Sequence, residues 1–317
     1  MNSIAVILPA FNEELTIVET IEAFHRHLPM AEIVVVNNNS TDATGTHANQ
    51  VFSDHGIRGR VIDEPRQGKG NAVRRAFSEV DADIYVLADA DLTYPAEQVA
   101  QLIGPVLKNE ADMVVGDRHA NDRYRRENKR LLHNFGNKLV RKLVNSLFRA
   151  DLRDIMSGYR AFSRRFVKNY PILVEGFEIE TDMTLHALDK RFRILEVPVD
   201  YRDRPEGSDS KLNTFSDGAR VLFTIAQILR YYRPMLFFGV LGVVFVLLGL
   251  VAAIPVFSDW INYRYIYHVP LAVLAASVEL VAVMAFTIGL ILDSNVQQHK
   301  RGFEAGLLRY DQESCRK

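Results

Sequence analysis

One cysteine is all that this 317-residue chain contains, and it stands near the C-terminal end at Cys315. A single cysteine forms no internal disulfide, so the fold does not rely on an oxidising compartment. Neither sign of charge is in excess: 38 Lys and Arg against 39 Asp and Glu leave a formal net charge of -1. That balance gives the whole chain no pull toward a polyanion, and no nucleic-acid partner is expected. The opening MNSIAVILPAFNEE has no basic segment, its apolar run is short, and acids follow at once. It does not read as a secretory signal, so the N-terminal part is expected in the cytoplasm. Self-similarity at a period of about 20–50 residues is missing, which excludes solenoids and propellers, and no low-complexity tract interrupts the chain. The familiar phosphate loops are missing too. Gly68-Lys69-Gly70 is followed by Asn71, which does not fit a Walker A loop, and Val73 stands where a dinucleotide fingerprint needs its third glycine.

The mean hydropathy of -0.04 conceals two long apolar runs. Met235–Phe257 carries no charge over 23 residues, and Val269–Leu292 is broken only by Glu279. A 23-residue helix is roughly 35 Å long, enough to cross a hydrocarbon core of about 30 Å. Trp260, Tyr263, Tyr265 and Tyr267 crowd the connection between the runs, as interfacial aromatics do. Arg230 and Arg233 precede the first run, Lys300 and Arg301 follow the second, and the connection holds only Arg264, offset by Asp259. The positive-inside rule then expects a multi-pass plasma (inner) membrane protein with both termini cytoplasmic and residues 258–268 outside. An ionised Glu279 at mid-span costs about 2.5–3.5 kcal/mol on insertion scales, so it is expected neutral or paired.

The first 116 residues alternate strand and helix patterns. Apolar runs at Ile4–Leu8, Ile33–Val36, Ile84–Ala88 and Met113–Val115 read as strands, with helical patterns near 13–27, 42–52, 69–79 and 95–108. Such alternation predicts βαβ units and a mostly parallel sheet covered on both faces. Ligands in these sheets bind beyond the carboxyl ends of the strands. The polar clusters PAFNEE (9–14), NNNSTD (37–42), DAD (89–91) and GDR (116–118) fall there. Beyond them, residues 118–149 hold ten Lys or Arg against Asp122 and Glu127, with Leu131, Phe135, Leu139 and Leu143 recurring every fourth residue. This is a basic amphipathic helix, either a solvated helix packing on the domain or, in a chain with two long apolar runs, one that lies on a membrane surface. A second amphipathic segment, 215–233, leads into the first apolar run.

Asp89 and Asp91 stand two apart at a strand end, where both carboxylates can serve one hard cation together with diphosphate oxygens. By itself the pattern is common, and a cap on the next helix accounts for it equally. Gly68-Lys69-Gly70, before a helix, reads either as a turn or as backbone and lysine approaching a nucleotide.

The ordered set of PAFNE, NNNSTD, GKG, DAD and GDR resembles family 2 glycosyltransferases of the GT-A fold. SGYRAF (157–162), FEIETDM (177–183), EVPVDYRDR (196–204) and SDSKLN (208–213) resemble the polyprenyl-phosphate branch of that family, which includes dolichol-phosphate mannose synthase and the bactoprenol glucosyltransferases. The likeness spans about residues 3–300. It implies an α/β GT-A catalytic domain over 1–205, a juxtamembrane segment over 206–233, a transmembrane hairpin over 234–293 and a cytoplasmic tail over 294–317.

The resemblance also implies roles. Pro9, Phe11 and Glu13 would cradle base and ribose, with Lys69 and Gly70 approaching the nucleotide. Asn38 stands where the family usually has an aspartate reaching the nucleotide. Asp89 would face the nucleotide sugar, and Asp91, with Asp89, would bind Mg²⁺ or Mn²⁺. Thr93 stands where some relatives supply a further ligand. Arg118 and Arg130 would meet phosphate groups, and Arg160 is either structural or catalytic. Glu180 would lie near the sugar or simply oppose its helix dipole. Arg204 and Lys211 would hold an acceptor phosphate. The implied reaction is an inverting, metal-dependent transfer from a UDP- or GDP-sugar to a polyprenyl phosphate at the cytoplasmic membrane face, for cell-envelope glycan modification. A homo-oligomer is compatible with it. A glycolipid, diacylglycerol or polysaccharide acceptor is an alternative, although the Q-x-x-R-W motif of processive synthases is missing. A non-catalytic nucleotide-binding membrane protein is a third reading, which the intact Asp89 and Asp91 disfavour.

Overall fold

The computed structural model describes residues 2–119, 131–176, 178–202 and 217–314. They fall into two units, residues 1–215 with 310–317, and residues 216–309. In the first, seven strands form one sheet: β1 (Ile4–Ala10), β2 (Glu32–Asn37), β3 (Gly59–Asp63), β4 (Ile84–Leu87), β5 (Met113–Asp117), β6 (Arg160–Ser163) and β7 (Ile194–Pro198). Their spatial order is β3-β2-β1-β4-β6-β5-β7. All neighbours are parallel except β6, which runs antiparallel between β4 and β5. The mostly parallel α/β architecture expected from the sequence is therefore present.

Strands β1, β2 and β4 are apolar on both faces because helices cover both. Helices α1 (Ile17–His27), α2 (Thr44–Asp54), α3 (Lys69–Glu79) and α4 (Val99–Leu107) supply the cover. Helix α1 shows why the sequence folds so: Ile17, Thr20, Ile21 and Phe24 repeat at helical spacing and are its buried residues. Further along lie α5 (Leu131–Phe148), within the basic segment, α6 (Arg164–Lys168) and α7 (Ile179–Asp189). Strands β3, β6 and β7 are additions to the sequence reading. GRVID and ILEVP are short runs at the two sheet edges, and RAFS opens on an arginine, so none of the three stands out as a strand.

The second unit holds α8 (Asp217–Tyr232), α9 (Pro234–Tyr263) and α10 (Val269–Ser314). Helices α9 and α10 are each long and apolar enough to cross a membrane. They pack antiparallel through small residues. Gly242 lies against Phe286, Gly249 against Glu279, and Gly289 against Phe238. Gly242 and Gly249 are seven apart, as are Ala275, Ala282 and Gly289, and all five are buried. A seven-residue spacing keeps one seam in register between two helices, and small side chains let their backbones approach. Outward apolar side chains such as Leu247, Val251, Val283 and Leu290 are exposed. The turn between the helices is closed by Asp259, which accepts hydrogen bonds from the Tyr267 N–H (2.8 Å) and the His268 N–H (3.0 Å). Among the described residues Glu279 finds no hydrogen-bond partner at Oε1. The glycine opposite, rather than a polar neighbour, makes room for it.

Candidate active site

Parallel β1, β2, β4 and β5 all end on the same side of the sheet, and the polar clusters meet there. The first two loops are stitched together. Asn12 and Asn39 both adopt left-handed backbone (φ 52° and 58°), a conformation that asparagine tolerates better than most residues. The Thr41 N–H donates to Asn12 Oδ1 (2.8 Å), and the Asn12 N–H donates to Ser40 Oγ (3.1 Å). The Glu13 N–H donates to Thr44 Oγ1 (2.8 Å), which holds PAFNEE against NNNSTD. Asp42 accepts from the Thr44 hydroxyl and from the N–H groups of Thr44 and Glu14. Burial pushes its carboxyl up, but these hydrogen bonds outweigh that and hold its pKa below the usual range. Pro9, Phe11 and Glu13 are thereby placed on one rim of the site.

Lys69 forms the centre. Its ammonium pairs with Asp89 and lies 2.5 Å from Glu180 Oε1. Burial disfavours the ammonium, yet Asp89 and then Glu180 hold its pKa above the ordinary lysine value. Glu180 does sit in the first turn of α7, as a dipole-opposing carboxylate would. The lysine contact shows that it also belongs to this cluster. Gly158 is needed for closure: a Cβ there would lie 3.0 Å from Lys69 Nζ and 3.1 Å from Asp89 Oδ2. The Gly158 N–H donates to the Tyr94 hydroxyl (2.9 Å), and the Tyr94 ring stacks on Tyr159 at 5.1 Å. Burial raises the Tyr94 phenol, so it stays protonated.

Asp91 is buried, and its Oδ1 accepts from the Thr93 hydroxyl (2.5 Å) and the Thr93 N–H (3.1 Å). Leu92 between them has φ 63°, a left-handed conformation costly for a branched side chain. The hydroxyl of Thr93 thus orients Asp91. Asp89 and Glu180 pair with the Lys69 ammonium, Asp91 stands two residues from Asp89 in the same loop, and the all-oxygen donors of this loop fit a hard divalent cation. No group of three or more His, Cys, Asp or Glu side chains converges as a cage among the described residues. One or two carboxylates completed by substrate phosphates is how Mg²⁺ is usually held.

Arg118, at the end of β5, forks onto buried Asp154 through Nε (2.7 Å) and Nη2 (2.9 Å). Burial raises Asp154, but the Arg118 charge and hydrogen bond dominate and lower its pKa. Arg160 is structural. Its guanidinium is fully buried and donates to the carbonyls of Ser157 and Ile155 and to Thr184 Oγ1. Asn38 is also turned inward, toward Glu64, Arg66 and Gly68. Arg130, Arg204 and Lys211 lie outside the described residues. Asp42 has no role in the sequence reading, and Thr93, which the resemblance sets at a ligand position, instead donates to Asp91; a carboxylate two residues from a threonine is a local hydrogen-bonding signal. Tyr94, Asp154 and Gly158 carried no such signal, since only the fold brings them in.

Comparison with known proteins places this geometry. Residues 5–170 match the model of the family described as glycosyl transferase family 2. Glycosyltransferase AglJ of Haloferax volcanii is 29% identical over 300 residues, covering 94% of this chain and 95% of its own. The dolichol-phosphate mannosyltransferase of Pyrococcus furiosus is 30% identical over 215 residues, covering 66% of this chain and 59% of its own. Among solved structures, glucosyl-3-phosphoglycerate synthase from Mycobacterium tuberculosis, in complex with Mn²⁺, UDP-glucose and phosphoglyceric acid, superposes with a TM-score of 0.55 at 26% identity. It covers 72% of this chain and 79% of its own.

Proposed function

The chain belongs to glycosyl transferase family 2 and is a nucleotide-sugar transferase, and from that premise we propose that its acceptor is a polyprenyl phosphate reached at a membrane surface. One observation carries the proposal: the cluster of Lys69, Asp89 and Glu180 belongs to a chain that also bears two long apolar helices with exposed outer faces. The relative named for dolichol phosphate, and AglJ, which aligns over nearly the whole chain, support the same reading.

A phosphate monoester loses its second proton near pH 6, so the acceptor is mostly a dianion at neutral pH. Its oxygen attacks the anomeric carbon, and a carbon–oxygen bond forms. The bond from that carbon to the β-phosphate oxygen breaks, and the nucleoside diphosphate departs with the electron pair. No base is needed, and the configuration inverts. The chain's task is to bring two anions together and stabilise the leaving diphosphate. Asp91, oriented by Thr93, and Asp89 would hold Mg²⁺ or Mn²⁺, which supplies charge neutralisation at the diphosphate when bound. Lys69 screens Asp89 and Glu180 from each other and from the donor. Arg118, fixed by Asp154, offers positive charge at the end of β5. Arg130, Arg204 and Lys211 are proposed to meet the phosphates.

Purified full-length protein given undecaprenyl phosphate and a panel of radiolabelled UDP- and GDP-sugars tests the reading. Label from one donor should pass into the organic phase in an acid-labile product. Label passing only into polymer, or into lipid that lacks phosphate, would overturn the acceptor. No release of label from any donor would overturn the transfer itself.

A further inference from the structure

We propose that Asn38 is a positioning residue that acts through Lys69, and not a residue that reaches the nucleotide. This rests on the transferase reading of the same site. The carboxamide of Asn38 is buried and committed on both of its ends. Nδ2 donates to the carbonyl of Arg66 (2.7 Å) and, more weakly, to that of Glu64 (3.3 Å). Oδ1 accepts the Gly68 N–H at 2.7 Å. The partners fix which end is which, because a carbonyl only accepts and a backbone N–H only donates.

All three anchors lie in the six residues before Lys69. The opposite side of this loop is clamped as well. The Gly70 N–H donates to the Glu175 carbonyl (2.9 Å), and a Cβ on Gly68 or Gly70 would lie 2.2 Å from a backbone oxygen of Glu175 or Val174. Gly68 itself has φ 134°, which suits glycine alone. The loop is therefore held between Asn38 on one side and residues 174–175 on the other, and Lys69 leaves it toward Asp89 and Glu180.

An aspartate at this position would have the same shape but no donor. One oxygen could still accept from Gly68, while the other would face the two carbonyls and repel both. The amide is thus matched to this loop, and the usual aspartate of the family is excluded by it.

The test uses full-length protein with Asn38→Asp, which preserves shape, and Asn38→Ala. In the ligand-free protein, amide exchange in the peptide containing Gly68 should speed up by about 10-fold in either variant. With donor and acceptor, kcat should fall by about 10–100-fold while the KM for the nucleotide sugar stays within about 3-fold. In a Lys69→Ala background, Asn38→Ala should add little further loss. A raised donor KM with kcat preserved, or losses that add in full to those of Lys69→Ala, would overturn the proposal and assign Asn38 to the nucleotide. Unchanged exchange at Gly68 would overturn it whether or not any sugar is transferred. That arm separates its failure from failure of the transferase reading.

Discussion

Asp91 and Thr93 show how one side chain is prepared by another. Thr93 spends both its hydroxyl and its N–H on a single oxygen of Asp91. Asp91→Asn should lower turnover by about 100-fold or more with the protein still folded, and EDTA should silence the wild type until Mg²⁺ or Mn²⁺ is restored. Full activity in EDTA would end the metal assignment. Thr93→Val keeps the shape and loses the hydroxyl bond. Its half-activating metal concentration should rise by about 10–100-fold, and Thr93→Ser should rescue it. Glu64 makes a prediction of a different kind. Arg66 forks onto it at 2.8 and 2.9 Å and holds its pKa at about 2, against an ordinary 4.5. A depressed carboxyl stabilises the fold fully above its unfolded value, and the contribution fades as pH falls from about 4.5 toward 2. Glu64→Gln should flatten that part of the curve of melting temperature against pH. A curve as steep as that of the wild type would mean that this pair contributes nothing to acid stability.

At the scale of elements, the glycines separate into two kinds by what a methyl group would meet. A methyl group on Gly70 would run into the backbone oxygen of Val174, and the backbone of residues 174–175 has nowhere to yield. Gly70→Ala should cost about 1–3 kcal/mol and shift the loop that carries Lys69. Loss of stability and of activity should appear together. A methyl group on Gly249 would meet the tip of the Glu279 side chain. A flexible side chain can swing aside, so Gly249→Ala should leave the thermal stability of the detergent-solubilised protein close to wild type, whereas Gly249→Leu should part the two helices. An equal loss from both variants would show that Glu279 is fixed. The strands make a parallel point. Ile4–Ala10 and the Ile33–Val36 centre of the second strand are continuous apolar runs because both faces are covered, and that pattern is readable. Arg160–Ser163 is only four residues long, and its pairing with both Ile84–Leu87 and Met113–Val115 is a long-range event.

For the whole molecule, the membrane reading predicts a sidedness. A membrane-impermeant thiol reagent added to intact cells should label a cysteine placed at Asn262 and miss Cys315. The reverse pattern would put the transferase site away from cytoplasmic nucleotide sugars and defeat the proposed reaction. Lys211→Ala should raise the KM for polyprenyl phosphate more than that for the nucleotide sugar. A change confined to the donor would remove Lys211 from the acceptor site.

What the sequence by itself determined was whatever depends on neighbours in the chain. The βαβ alternation follows from the periodicity of apolar residues, the two long helices follow from apolar runs that only Glu279 interrupts, and the placing of PAFNEE, NNNSTD, DAD and GDR follows from where strands end. The amphipathic pattern of 118–149 foretold helix Leu131–Phe148, although residues 120–130 lie outside the described part. Only the tertiary structure decided the partners. Lys69 meets Glu180 across 111 positions of sequence, Arg118 meets Asp154, and Gly158 closes on Asp89. Arg160 is held by the nearby carbonyls of Ser157 and Ile155 and by the distant Thr184 hydroxyl, and Asn38 faces inward to carbonyls of the Glu64–Arg66 turn. A buried polar group must be satisfied by whatever the fold brings within about 3 Å, and no local pattern encodes that.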